Sequence, residues 1–182
     1  MSNKYHPRED TLLLTDEALK LRVRRVLEIG VGSGLVTLTL AKLNDYVVGI
    51  EIDSSTIKEV LNSVRENGYG GKVDLLICDG ASAFRSGIFD AVLFNPPYLP
   101  TDIGVDKTVD GGEDGIQVSE RWFQDAARVV KDTGQIIFVT SSLSDYQRLL
   151  SKVESMGFHS HVVKNQHFFF EDLMVVKAVR RL

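Results

Sequence analysis

The fold is decided by the segment Arg25–Gly34, RVLEIGVGSG, in which a short apolar run meets three glycines at alternate positions. The apolar residues of Leu35–Leu43 follow at helical spacing. A strand, a glycine turn and a helix in this order open a Rossmann-type α/β unit. The glycines let the backbone turn tightly and approach a ligand closely.

The spacing of these glycines bears on which ligand the turn accepts. The dinucleotide fingerprint G-x-G-x-x-G requires glycine or alanine at position 35, where this chain has Leu35. The turn is therefore a poor cradle for a pyrophosphate, which disfavours a nicotinamide-dependent oxidoreductase. An acidic side chain accompanies the turn, because Glu28 lies two residues before Gly30.

Two further predicted strands lead into acidic residues. The run Val47–Ile50 ends at Glu51, about twenty residues past the glycines, where a carboxylate holds a ribose diol in this fold. The run Val73–Cys78 leads into Asp79 and Gly80. Asp79 could accept a hydrogen bond from an amine of a bound base, or it could merely cap a turn, and local reasoning leaves both open.

A fourth apolar run, Phe89–Phe94, leads into Asn95-Pro96-Pro97-Tyr98. The two prolines fix φ and remove two backbone N–H donors, and the residue before a proline is held extended. This predicts a stiff ledge with a side-chain amide, carbonyl acceptors and one ring, which suits a planar group that carries N–H donors. An ordinary strand-ending Pro-Pro turn is the alternative interpretation.

The remaining pattern continues the alternation of strands and helices, which is typical of a doubly wound α/β sheet. Ser54 or Ser55 is expected to cap a helix that runs to about Asn67. The short connection Asn165–His167 predicts an antiparallel hairpin between the last two strands. The other predicted helices are 9–20, 116–130 and 145–156, and the other predicted strands are 134–139, 161–164 and 168–179.

Length and composition indicate one domain, residues 1–182, with a loose segment at 1–8 and a substrate-side loop at 99–115. A net charge of −4 argues against a protein whose main partner is a phosphate backbone. The single cysteine, Cys78, suits a reducing compartment, so we expect a cytoplasmic protein. No apolar run is long enough to span a bilayer, and the four histidines lack metal-ligand spacing, so neither membrane nor metal is expected.

Glu28, the glycine turn, Glu51, Asp79 and Asn95 all fall near the carboxyl ends of successive strands, the ligand crevice of an open α/β sheet. This pattern resembles the class I S-adenosylmethionine-dependent methyltransferases. The tetrapeptide Asn95–Tyr98 is similar to the motif of those members that methylate a planar amino or amide nitrogen. They are the N6-adenine methylases and the HemK-like protein glutamine methylases.

Two further segments resemble the short archaeal and eukaryotic HemK relatives. Tyr5–Thr11, YHPREDT, is similar to their Y-x-P-x-E-D-[ST] opening, although Arg8 stands where that family usually has a small residue. Asp110–Gly115, DGGEDG, is similar to their G-G-x-x-G segment. The resemblance covers nearly the whole chain. It implies a Rossmann-like class I methyltransferase fold, with a seven-stranded, mostly parallel sheet, one antiparallel strand and helices on both faces.

The resemblance also implies S-adenosylmethionine as the cofactor and a role for each residue along this edge. Glu51 would hold the ribose hydroxyls and Asp79 the adenine amine. Asn95 and the carbonyl of Pro96 would hold the target nitrogen, while Tyr98 packs on the amide plane. The implied cofactor-binding residues are Thr11, Glu28, Gly30, Gly32, Glu51, Ile52, Asp79, Gly80 and Asn95. The implied catalytic residues are Asn95, Pro96 and Tyr98, and Pro97 joins them in the implied substrate site.

The substrate that the resemblance implies is a protein glutamine in the Gly-Gly-Gln loop of a translation release factor. It further implies a small zinc-containing activator subunit that pairs beside the strand Val73–Cys78, at an edge of the sheet. An N6-adenine methylase of DNA or RNA is the main alternative. The acidic loop, with five acidic residues and one lysine between positions 99 and 115, disfavours nucleic acid as the substrate. A protein lysine methylase stays open, whereas a non-catalytic binding module is disfavoured because Asn95 and Glu51 are retained.

Overall fold

The strands within the described part of the chain form one seven-stranded sheet. The computed structural model describes residues 9–100, 109–168 and 170–181. The expected loose segment at residues 1–8 lies outside these ranges, and so do positions 101–108 of the expected substrate-side loop. The strands are β1 (Arg25–Ile29), β2 (Tyr46–Glu51), β3 (Val73–Ile77), β4 (Phe89–Phe94), β5 (Val130–Ser141), β6 (Phe158–Phe168) and β7 (Glu171–Arg180). Their order across the sheet is β3-β2-β1-β4-β5-β7-β6.

The sheet is parallel except for one strand. β1 pairs in parallel with both β2 and β4, and the parallel pairing continues to β3 on one side and β5 on the other. β7 lies antiparallel between β5 and β6. The predicted mostly parallel sheet with one antiparallel strand is therefore confirmed, as is the antiparallel hairpin at the end of the chain.

Helices cover both faces of the sheet, as predicted, and each face has its own apolar core. The first three helices contribute Leu14, Leu40 and Val64 to one core, and the last two contribute Phe123 and Val153 to the other. The described helices are α1 (Glu9–Ala18), α2 (Leu35–Leu43), α3 (Ser54–Glu66), α4 (Gln117–Val129) and α5 (Tyr146–Ser155). Within the described ranges, no helix combines the length and the apolar character needed to cross a bilayer.

The expected connection of the final hairpin at Asn165–His167 is wrong. β6 extends to Phe168 and β7 begins at Glu171, so Asn165–His167 belongs to β6. β6 is an edge strand whose side chains are mostly exposed or half-buried, and a bulge lies between Val162 and Lys164. An edge strand with polar side chains lacks the apolar alternation that marks a strand in sequence, and therefore its length was underestimated.

Other predicted boundaries also differ from the structure. β5 begins at Val130 instead of Gly134, because α4 ends at Val129 and Val130 already pairs with Phe89. The cap of α3 is neither Ser54 nor Ser55, since the carboxylate of Asp53 accepts the backbone N–H groups of residues 55 and 56, at 3.3 and 2.9 Å. Aspartate is a strong N-cap residue, and it stands one position before the serines.

The topology brings the carboxyl ends of β1, β2, β3 and β4 to one edge of the sheet, because these four strands are parallel neighbours. Residues that directly follow those strands therefore meet there, although they are far apart in the chain. β3 forms one edge of the described sheet, as the resemblance implied.

Candidate active site

The glycine turn is fixed to the neighbouring strand by its own backbone. The N–H groups of Gly30 and Val31 both donate to the carbonyl of Ile50, at 2.8 and 3.2 Å. Gly30 has φ +76°, and a Cβ at this position would lie 2.6 Å from Cη2 of Trp122. Glycine is required here, because any side chain would collide with the indole and strain the backbone.

Glu51 is held at the end of β2 by backbone donors on two sides. One carboxylate oxygen accepts the N–H of Ile52 at 2.8 Å, and the other accepts the N–H of Gly32 in the glycine turn at 3.3 Å. The carboxylate thus lies between the turn and the start of the next connection. Its orientation is set by these N–H groups, while a carboxylate has acceptor capacity for further hydroxyl groups.

Glu28 is buried beneath the glycine turn, with only 3% of its surface exposed. The pKa of its carboxyl rises from 4.5 to about 8, mainly because of burial and in smaller part because of the nearby charge of Glu51. A hydrogen bond donated by the hydroxyl of Thr37 opposes part of this rise in pKa. Glu28 is therefore largely protonated at neutral pH and serves as a neutral hydrogen-bonding group below the turn.

A cleft of about 260 Å³ opens at this edge of the sheet. Residues from the ends of three strands, from the proline ledge and from α4 share its wall. The wall combines two carboxylates on strand ends with apolar side chains, which suits a ligand that has both hydroxyl or amine groups and an apolar body. The lining residues are Ile29, Gly30, Ile50, Glu51, Ile52, Cys78, Asp79, Gly80, Pro97, Asp110, Val118, Arg121 and Trp122.

The ledge after β4 is anchored through its tyrosine. The Tyr98 hydroxyl donates to a carboxylate oxygen of Asp10 in the first turn of α1, at 3.1 Å. The other oxygen of Asp10 accepts the backbone N–H and the hydroxyl of Thr11, at 2.6 and 3.2 Å. Asp10 and Thr11 are both buried. The start of α1 thus fixes the ring, and Tyr98 could not be assigned to this contact from sequence spacing.

Of the ledge residues, Asn95 and Pro96 are not part of the cleft wall. Asn95 is half-buried, with its Oδ1 shielded from solvent, and Pro96 is buried. Pro97 lines the cleft itself. An acceptor in such a shielded position interacts with an N–H group more strongly than it would in water.

The segment Asp110–Gly115 closes over the ledge. The N–H of Leu99 donates to the carbonyl of Val109 and the N–H of Gly111 donates to the carbonyl of Leu99, at 3.1 and 2.9 Å. Gly115 has φ +68°, and a Cβ there would lie 2.5 Å from the backbone oxygen of Tyr98. The glycines of this segment therefore allow it to pack directly on the backbone of the ledge.

The structure brings many, but not all, of the expected site residues into the cleft wall. Gly30, Glu51, Ile52, Asp79, Gly80 and Pro97 share that wall. Among the rest, Gly32 donates to Glu51, whereas Glu28 and Thr11 are buried behind the surface. The sequence reasoning missed Trp122, Arg121, Asp125 and Asp10. The spacing of charged residues along the helix 116–130 could have indicated Arg121 and Asp125.

Residues 9–170 match the sequence model of the family described as methyltransferase small domain. The chain belongs to this family. Its fold and its strand-end carboxylates make it a class I methyltransferase, as the sequence resemblance implied.

Three relatives of this methyltransferase carry more specific names. A protein of Methanocaldococcus jannaschii, provisionally named a protein N5-glutamine methyltransferase, is 32% identical over 97% of this chain and 91% of its own. The release factor glutamine methyltransferase of Caulobacter vibrioides is 31% identical over 72% of this chain, but the match spans only 52% of that bacterial protein. Mtq2 of E. cuniculi, solved in complex with Trm112 and described as responsible for methylating the termination factor eRF1, superposes with a TM-score of 0.79 at 26% identity. That superposition covers 97% of this chain and 98% of Mtq2.

Proposed function

We propose that this methyltransferase transfers a methyl group to the side-chain amide nitrogen of a protein glutamine, in the Gly-Gly-Gln loop of a translation release factor. The observation that carries the proposal is the position of the ledge Asn95–Tyr98. Its Pro97 shares the cleft wall with Glu51 and Asp79, so an amide held on the ledge is next to the ligand site. The names of the three relatives agree with this substrate class. A translation factor as substrate implies a cytoplasmic location.

The residues of the cleft fit S-adenosylmethionine as the cofactor. Glu51 can accept from the ribose hydroxyls, and Asp79 can accept from the adenine amine, with Ile52 and Gly80 beside them on the wall. Gly30 lines the cleft, where a Cβ would collide with Trp122, and the N–H of Gly32 donates to Glu51. Glu28, in β1, and Thr11, in α1, are both buried and would act on the cofactor through the residues that cover them. When bound, the cofactor supplies a methyl group on a positively charged sulfur.

An amide nitrogen is a poor nucleophile because its lone pair is delocalised into the carbonyl group. The Asn95 Oδ1 and the carbonyl of Pro96 can accept the two N–H groups of a glutamine amide and turn its nitrogen lone pair towards the cleft. Pro96 and Pro97 stiffen this ledge, and the adjacent Tyr98 is held by the hydrogen bond of 3.1 Å that its hydroxyl donates to the Asp10 carboxylate. Such positioning by preorganised acceptors can supply several kcal/mol. The nitrogen proton can leave after the transfer, so no strong base is required on the ledge.

The charge around the cleft favours a protein over a nucleic acid as the methyl acceptor. Glu51, Asp79 and Asp110 line the cleft, and Asp10 lies at the ledge. The guanidinium of Arg121, which also lines the cleft, is paired with Asp79. A phosphate backbone that approached this edge would meet mostly negative charge, which lowers its affinity at every salt concentration below full screening.

The decisive experiment supplies methyl-labelled S-adenosylmethionine together with a release factor, with duplex DNA, or with tRNA. We expect label in the release factor and its loss when the glutamine of the Gly-Gly-Gln loop is replaced by alanine. Label in nucleic acid would instead support the adenine alternative. Label that persists after the glutamine replacement and appears as methyl-lysine in peptide mass spectra would support lysine methylation. Either of these results would refute the proposed substrate.

We also propose that a small zinc-containing activator subunit pairs with β3. β3 forms an edge of the described sheet, and Ile77 at its end is 61% exposed. A groove of about 550 Å³ includes Leu76 of β3 in its wall and combines apolar side chains, such as Phe84 and Ile88, with two arginines and two aspartates. An uncovered edge strand with apolar neighbours promotes aggregation unless a partner covers it. The complex of Mtq2 with Trm112 is consistent with such a partner.

The two edges of the sheet allow a matched test of this partner. Leu76→Glu places a charge on β3, and Val162→Glu places one on β6, the other edge. After co-expression with a small zinc-binding activator protein, we expect Val162→Glu to co-purify with it and Leu76→Glu to lose it. Equal co-purification of the two variants would contradict pairing at β3.

A further inference from the structure

One face of α4 holds the turn that follows β3. Arg121, Asp125 and Arg128 are spaced by four and three residues, so they project from the same side of the helix. All three contact the segment Asp79–Phe84. That segment carries Asp79, the carboxylate assigned above to the adenine amine.

The middle contact fixes the backbone next to Asp79. One carboxylate oxygen of Asp125 accepts the N–H of Ala81 at 2.9 Å. The same oxygen would lie only 2.1 Å from a Cβ at Gly80, where φ is +64°. Gly80 therefore has to be glycine, because the carboxylate of Asp125 occupies the space that a side chain would need.

The last contact fixes the far end of the segment. The guanidinium of Arg128 donates to the carbonyls of Phe84 and Ala81, at 2.5 and 2.6 Å. Charge-assisted hydrogen bonds of this kind are roughly twice as strong as neutral ones. The segment has no helix of its own before β4 begins at Phe89, so its shape depends on these contacts from α4.

The first contact orients the carboxylate itself. The guanidinium of Arg121 approaches both oxygens of Asp79, at 3.2 and 3.1 Å. This two-point geometry fixes the plane of the carboxylate, and it leaves each oxygen with a further acceptor site. Both side chains are about half exposed, at 55% and 54%, so the pair alone adds little to the stability of the fold.

We propose that Arg121 and Asp125 are positioning residues that make the cleft selective for a 6-amino purine over a 6-oxo purine. The inference rests on the proposed cofactor. A 6-amino group donates an N–H to the oriented Asp79 carboxylate, whereas a 6-oxo group directs a lone pair at it and is repelled. Without Arg121, the half-exposed carboxylate rotates freely, and the 6-amino purine loses most of its advantage.

The test measures binding of S-adenosylhomocysteine and of its 6-oxo analogue, S-inosylhomocysteine, by titration calorimetry. We expect the wild-type protein to bind the adenosyl compound at least about tenfold more tightly, as a site that hydrogen-bonds a ligand N–H rejects the analogue lacking it. Arg121→Met should weaken adenosyl binding about fivefold, the loss typical of one hydrogen bond, and leave inosyl binding nearly unchanged. The adenosyl affinity of Arg121→Lys should lie between those of the wild-type protein and Arg121→Met, because an ammonium cannot contact both carboxylate oxygens in one plane.

The pair Arg148–Asp114 offers a matched control. It has a separation of 2.7 Å and a similar exposure of 53% and 43%, but it joins α5 to the segment Asp110–Gly115. Arg148→Met should therefore keep both affinities. Asp125→Ala should reduce the selectivity as Arg121→Met does, and its melting temperature shows whether the variant remains folded.

Two results separate this inference from the proposed function. If the wild-type protein binds neither compound, the proposed cofactor is wrong. If it binds the adenosyl compound selectively and Arg121→Met, still folded, has unchanged or tighter adenosyl binding, the cofactor stands and the positioning role of Arg121 is overturned.

Discussion

Replacing Glu28 with glutamine should make the protein more stable at alkaline pH and leave its stability nearly unchanged at acid pH. The Glu28 carboxyl is buried, and its pKa rises from 4.5 to about 8 on folding. The folded state therefore keeps a proton that the unfolded state releases, and the stability of the wild-type protein falls as the pH rises from 4.5 towards 8. Glutamine has nearly the same shape and never ionises, so the stability of the variant should not fall with rising pH for this reason.

The size of the effect follows from the change in pKa. Each pKa unit corresponds to about 1.4 kcal/mol, so a rise from 4.5 to about 8 costs the wild-type protein roughly 5 kcal/mol once the pH exceeds about 9. A typical domain is stable by about 5–15 kcal/mol in total, so this difference is readily measured. At about pH 5 the Glu28 carboxyl is protonated in most folded molecules, and the two proteins should differ by less than about 1 kcal/mol.

The assay is urea unfolding between about pH 5 and pH 9, followed by the fluorescence of Trp122, the one tryptophan of the chain. The control is Glu66→Gln, which changes an exposed carboxylate at the end of α3. Its stability should follow that of the wild-type protein at every pH. A stability difference between Glu28→Gln and wild type that stays constant over this range would show that Glu28 does not remain protonated beneath the glycine turn, and the reasoning would be refuted.

Three other substitutions test the ledge and its supports. Asn95→Ala should keep the affinity for S-adenosylhomocysteine within about twofold but lower methyl transfer by about a hundredfold or more, since it removes one acceptor that positions the amide; equal turnover would refute the role of Asn95. Tyr98→Phe removes only the hydroxyl that donates to Asp10 at 3.1 Å, so urea unfolding should show a loss of about 1 kcal/mol, and transfer should fall less than in Asn95→Ala. Gly115→Ala should cost about 1–3 kcal/mol by the same measurement, because φ is +68° and the new Cβ would lie 2.5 Å from the Tyr98 oxygen. A Gly115→Ala variant as stable as the wild-type protein would show that Gly115 does not pack this closely on the Tyr98 backbone.

Several features of the site were predictable because they depend on local backbone chemistry. The glycines of Gly30–Gly34, the apolar runs and the prolines at Pro96 and Pro97 each restrict φ, ψ or side-chain period within a few residues. Those restrictions follow directly from residue type, and they predicted the correct alternation of strands and helices. The boundaries failed where the local signal is weak, as in the polar edge strand β6.

Contacts between distant segments could not be derived in the same way. The Tyr98 hydroxyl meets Asp10 across 88 positions of the chain, and the N–H of Ala81 meets Asp125 across 44. Neither pair has a signature in sequence, because each depends on which helix packs over which strand end. The raised pKa of Glu28 likewise follows from its burial, which arises only when the glycine turn, α2 and β2 pack together.

The sequence by itself determined the kinds of groups that this methyltransferase displays: a glycine turn, carboxylates after two strands and an amide on a proline ledge. Each is set by residue type and by short-range restriction of the backbone. The tertiary structure decided which of these groups share a cleft and which helix supports them. The order of strands in the sheet and the packing of α4 on the turn after β3 set those distances, and both arise from burial of apolar surface between segments far apart in the chain.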